Sequence, residues 1–129
     1  MALGDRFLKK MLQEAMIYIS QLRYLSSPLG RFLMEITKMI KRLEGYVFGR
    51  VQMVMFRDFT CRKSRSLGLV GTVKNLAEGS VLAVAEGEEE KLQEWLKKIK
   101  KGPMLAHVER VEEKWSAATG EFSDFKIIY

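Results

Sequence analysis

The 129-residue chain holds one cysteine, one histidine and two prolines, and it has no long uncharged apolar run. Each scarcity closes off a class. Cys61 has no partner for an internal disulfide and suits a reducing compartment, so a cytoplasmic location is expected. His107 is the sole histidine, and no cluster of cysteines or carboxylates accompanies it, so no metal and no cofactor is expected. A membrane-spanning helix needs about 20 consecutive apolar residues, and none exists, so no membrane partner is expected. The first residues carry charges every few positions and lack a signal-peptide apolar core. There is no internal repeat and no low-complexity segment.

What is present is a foldable composition. Apolar residues make up 47%, enough for one compact core with an appendage. The net charge is +6 with a pI near 9.5. Such a surface attracts nucleic acid or small anions. The lysines and arginines are scattered, and Lys97 to Lys101 close a helix, where cations favour the dipole. A nucleic-acid partner is therefore not expected.

The apolar pattern divides the chain in two, at 1–45 and 46–129. In the first part Leu8, Leu12, Ala15, Ile19 and Leu22 form a helical stripe. Ser26-Ser27-Pro28 breaks it, and Leu29, Phe32, Leu33, Ile36, Met39, Ile40 and Leu43 form a second, with Gly45 as its stop. A helical hairpin is the expectation for this part. From Tyr46 the period changes. Strands are expected at 46–52, 69–76, 81–85, 106–115 and 125–129, with helices at 56–67 and 88–101. The order is the split βαβ, or ferredoxin-like, plan of an α+β domain: β-α-β-β-α-β.

Chemistry is concentrated in Gly49-Arg50-Val51-Gln52-Met53-Val54-Met55-Phe56-Arg57 and in Gly71-Thr72-Val73-Lys74-Asn75. These segments, with Glu78-Gly79-Ser80, Gly102-Pro103 and the closing Phe125 to Tyr129, resemble the acylphosphatases, hydrolases of carboxylic-phosphoric anhydrides. The resemblance spans Tyr46 to Tyr129. It implies an acylphosphatase-like sandwich, a phosphate-binding loop of Gln52, Met53, Val54, Met55 and Phe56, and catalytic roles for Arg57 and Asn75. A loop running into a helix N-terminus suits that task, because its amides converge on an anion. Arg57 would add a charge-assisted fork, and Asn75 would orient water. An acyl phosphate would be the substrate.

One departure stands inside the loop. The family pattern is G-x-V-Q-G-V-x-F-R, and Met53 takes its second glycine. A methionine there either strains the turn or puts a thioether where the anion belongs. Met55, Met104, and the apolar Tyr46, Leu82 and Val84 on the second sheet face read as companions of that change. They suggest that the hairpin covers this face, with Leu29 and Phe32 level with Met53 and Met55. Together Met53, Met55, Met104, Phe32 and Leu29 would make a new apolar surface for a protein or ligand partner. The expectation is an engineered scaffold whose phosphate loop is impaired by Met53. The alternative is an active acylphosphatase. Trp95 and Trp115 are expected in the core or on the sheet, Cys61 as a buried thiol and His107 in a structural role.

Overall fold

The computed structural model describes Pro28, residues 30–32, Glu35 and residues 39–129. Five strands and two helices follow in the order β1 (Ile40–Arg50), α1 (Phe56–Ser66), β2 (Val70–Asn75), β3 (Val81–Glu88), α2 (Glu89–Lys101), β4 (His107–Ala117) and β5 (Phe125–Ile127). The expected β-α-β-β-α-β order is present, and the last strand, expected at 125–129, is β5. The sheet runs β4-β1-β3-β2-β5, antiparallel except where β5 lies parallel to β2.

Both helices lie on one face. Along β1 the side chains alternate, and Leu43 and Val47 are buried, joined by Val51 just beyond the strand. Ala83 and Ala85 of β3 share that face and are also fully buried. In α2 the three- and four-residue steps put Leu92, Trp95, Leu96 and Ile99 into the core, beneath acidic first-turn and basic last-turn residues. Trp95 is fully buried, and its indole N–H donates to Ser64 Oγ at 2.7 Å. Ser64 in turn donates to the Thr60 carbonyl at 2.6 Å, so a polar link pins the two helices together. Cys61 is a buried thiol, as expected, with Sγ 3.4 Å from the Phe125 carbonyl.

The start of β1 differs from the sequence expectation. Ile40 to Glu44 are strand, not the end of a helix, and Met39 is an exposed turn residue. Gly45 is not a helix stop but sits mid-strand, opposite Ala83 and Glu113. Ile36, Met39, Ile40 and Leu43 mimic a helical stripe, but strand pairing on both edges of β1 outweighs that local period. Pro28, residues 30–32 and Glu35 are helical. The expected hairpin, and its place over the second sheet face, lie mostly outside the described residues.

That second face carries a charged centre. Glu86 on β3 is 1% exposed and stands opposite Arg42 on β1. Its carboxylate accepts from Arg42 Nη1 at 3.0 Å, from Thr119 N–H at 3.0 Å and Oγ1 at 2.9 Å, and from Gly120 N–H at 3.0 Å. Burial works against the Arg42 charge, but hydrogen bonds to Glu121, Glu86 and Glu44 outweigh it and raise its pKa above the ordinary arginine value. The cluster ties the segment after β4 to the sheet centre. Glu86→Gln removes the charge while keeping the volume, and should lower stability by about 2 kcal/mol in urea unfolding.

Candidate active site

The candidate residues meet at one end of the sheet. Val81 at the start of β3 pairs with Val47 and with Asn75, and Arg50 pairs with His107. These registers bring the loop after β1, the β2–β3 turn and the start of β4 together. The register of β1 against β4 shifts at Phe48/Gly49. Gly49 has φ 131°, and a Cβ there would stand 2.1 Å from the His107 carbonyl oxygen, so only glycine lets β1 and β4 approach there.

The loop conformation answers the question that Met53 raised. Met53 has φ 61° and Met55 φ 65°, the two positive-φ non-glycine residues of the described chain. Each left-handed residue costs about 1–2 kcal/mol. Strain of this kind persists only where the surroundings over-determine it, and here they do. Val51 and Phe56 anchor the two ends in the core. The Gln52 amide donates to the carbonyls of Leu76 and Ser80 at 2.8 and 2.9 Å, strapping the loop to the β2–β3 turn. The Gln52 side chain thus braces the loop. Met53→Gly should relieve more strain than its added unfolded-state freedom offsets, and gain about 0.5–1 kcal/mol in urea unfolding.

The thioether does not fill the cradle. Met53 is 99% exposed and Met55 66%. Both side chains are thus exposed rather than packed. Met104 at 97% and Phe32 at 62% are also exposed rather than packed together, and Leu29 lies outside the described residues. Among the described residues no carbonyl outside a helix or strand accepts from the N–H groups of Met53, Val54, Met55 or Phe56. Left-handed residues followed by a helix N-terminus form the kind of concavity in which such amides hold an anion.

Arg57 lies in the first turn of α1, half-buried, with its guanidinium carbon 5.1 Å from the Tyr129 ring centre. The stack restrains the side chain. The pairing of Gly71 with Phe125 and of Val73 with Ile127 carries Tyr129 to the level of Asn75. Arg57 and Asn75 are thereby brought to one end of β2. Asn75 ends β2, and its Oδ1 is buried without a partner in the described structure. An orphaned buried acceptor costs about 1–3 kcal/mol. Tyr129 was not read as part of the site from sequence, and Gln52 was read there as a phosphate-loop residue, without its side-chain bonds to the β2–β3 turn. Their signal was the aromatic closing the chain and the amide side chain inside the loop motif.

The β2–β3 turn adjoins the loop through the Gln52 side chain. The Ser80 hydroxyl hydrogen-bonds the exposed Glu78 carboxylate and holds its pKa below the usual glutamate value. A depressed carboxylate supports the fold above its ordinary pKa and loses that support as pH falls through the depressed value. A shallow pocket of about 250 Å³ adjoins this turn, lined by Phe48, Gly49, Glu78, Gly79, Ser80, Glu109 and Arg110. Arg110 lies 3.9 Å above the Phe48 ring. Neither Arg57 nor Asn75 lines it, so it is separate from the candidate chemistry. Among the described residues no group of three or more His, Cys, Asp or Glu side chains is placed to hold a metal. No described helix is long and apolar enough to cross a membrane. His107 opens β4 and is exposed.

Comparison with known proteins identifies relatives of the chain. The sequence profile of the Acylphosphatase family matches residues 43–127. An acylphosphatase of Dehalococcoides mccartyi is 48% identical over 86 residues, 66% of this chain and 94% of that protein. An acylphosphatase of Methanococcoides burtonii is 42% identical over 94 residues, 73% of this chain and 98% of that protein. Among solved structures, the acylphosphatase from Bacillus subtilis superposes with a TM-score of 0.67 at 32% identity, over 69% of this chain and 99% of its own.

Proposed function

Because the chain belongs to the acylphosphatase family, we propose that it hydrolyses acyl phosphates to a carboxylate and phosphate at the site formed by Arg57, Asn75 and the amides of residues 52–56. The observation that carries this reading is the loop itself. Met53 keeps the left-handed turn at φ 61° and sends its side chain to solvent, so the cradle stays open. The expectation of an engineered, inactive scaffold rested on occlusion by Met53 and on a packed methionine cluster. The exposure of those side chains and the likeness to acylphosphatases support the active alternative instead.

The chemistry asks little of the protein. Water oxygen bonds to phosphorus, the bond from phosphorus to the acyl oxygen breaks, and one proton is released. The leaving group is a carboxylate of pKa about 4, stable at neutral pH without a general acid. A loose phosphoryl transition state needs positioning and charge stabilisation rather than a strong base. Asn75 Oδ1 accepts a hydrogen from the attacking water and aims its lone pair at phosphorus. Arg57 and the loop amides hold the equatorial oxygens as their charge grows.

Isotope labelling tests the reading. In ¹⁸O-water the chain should turn over acetyl phosphate and place the label in phosphate. Label in acetate would mean attack at carbon, and the assigned roles of Arg57 and Asn75 would then fail.

A further inference from the structure

The large apolar side chains that the fold leaves exposed are not scattered. Among the described residues eight qualify, and six lie at the end of the sheet that holds the candidate site: Met53, Met55, Met104, Leu105, Ile128 and Tyr129. Single exposed apolar residues need no explanation, but a cluster at a functional mouth does. Met53 and Met55 project from the cradle loop. Met104 and Leu105, exposed at 97% and 66%, lie in the link between α2 and β4. That link is tied to the loop. A Cβ on Gly102 would lie 3.3 Å from the Phe56 ring, and His107, which follows the link, pairs with Arg50.

This rim has a natural occupant. With the phosphoryl group in the cradle, the acyl part must point outward, because the carboxylate leaves on the side opposite the attacking water. It therefore emerges at the cradle mouth, where methionine side chains are flexible and polarisable enough to fit varied alkyl or aromatic shapes. A glycine in place of Met53 would offer no such contact.

We infer that Met53, Met55, Met104 and Leu105 form an acyl-selecting rim, and that the preferred substrates are acyl phosphates with an extended alkyl or aromatic acyl part. The inference rests on the hydrolase reading. Its test is the ratio of kcat/KM for octanoyl phosphate, below its micellar concentration, to that for acetyl phosphate. The intact chain should favour octanoyl phosphate by about tenfold, the effect of removing about 55 Å² of apolar surface from water. Met53→Ser combined with Met104→Ser should bring the ratio close to one. A parent ratio near one, or a ratio that the double substitution leaves unchanged, would overturn the rim. If neither substrate is turned over, the hydrolase reading fails, and the rim is then judged by binding. Octylphosphonate should bind the intact chain about tenfold more tightly than methylphosphonate, and equal affinities would overturn it.

Discussion

Arg57→Ala should lower kcat/KM for acetyl phosphate by about a thousandfold or more, because in the proposed mechanism its guanidinium meets the charge on the transferring group. In P-loop enzymes an arginine that meets transition-state charge contributes about 10³–10⁵ in rate. Here the loop amides would share the task, which places the expected loss near the low end. The stack of Arg57 on Tyr129 at 5.1 Å refines the prediction. Tyr129→Ala should lower activity by a smaller factor, through a less ordered guanidinium, while Arg57→Lys should recover little, since an ammonium lacks the planar fork. Stability should barely move in either case, as Arg57 is half-buried and Tyr129 exposed. Equal kinetic constants for the parent and Arg57→Ala would remove Arg57 from the mechanism.

Asn75→Ala should cost about 10²–10³ in kcat with KM little changed, the signature of a group acting in the transition state rather than in binding. Its buried Oδ1 has no partner among the described residues, so alanine also removes an orphaned acceptor. The variant should therefore be as stable as the parent or slightly more so. Lost activity with undiminished stability separates a catalytic asparagine from a strand-end turn former, whose loss would weaken the fold. Asn75→Asp keeps the shape but adds a negative charge beside the phosphoryl group, and it should be as inactive as alanine. Pre-steady-state and steady-state rates together decide whether the loss lies in the chemical step.

Much of the domain was readable from sequence because its signals are local. Leu92, Trp95, Leu96 and Ile99 mark one face of α2, and Gly102 ends it with φ 69°. The resemblance to acylphosphatases, carried by the 49–57 and 71–75 segments, implied one site for Gln52, Arg57 and Asn75 without knowledge of their distances. The start of β1 was misread because Ile36, Met39, Ile40 and Leu43 repeat at helical steps, whereas Ile40 to Glu44 take their structure from β3 and β4, distant in sequence. The Arg42–Glu86 centre was illegible for the same reason, since 44 residues separate the partners. The open question at Met53 was conformational. Composition does not say whether a methionine replacing glycine will bend its backbone or block its cavity. The anchoring of Val51, Gln52 and Phe56 decides it in favour of the backbone.

That decision is the centre of the account, and one comparison tests it: steady-state hydrolysis of acetyl phosphate by the intact chain and by Met53→Gly. A cradle held open by a strained but correctly turned loop predicts robust turnover by the parent and a rate within about thirtyfold in the glycine variant, since about 1–2 kcal/mol of loop strain is all that separates them. An inert parent, with activity appearing only in Met53→Gly, would contradict the account and show that the methionine closes the site.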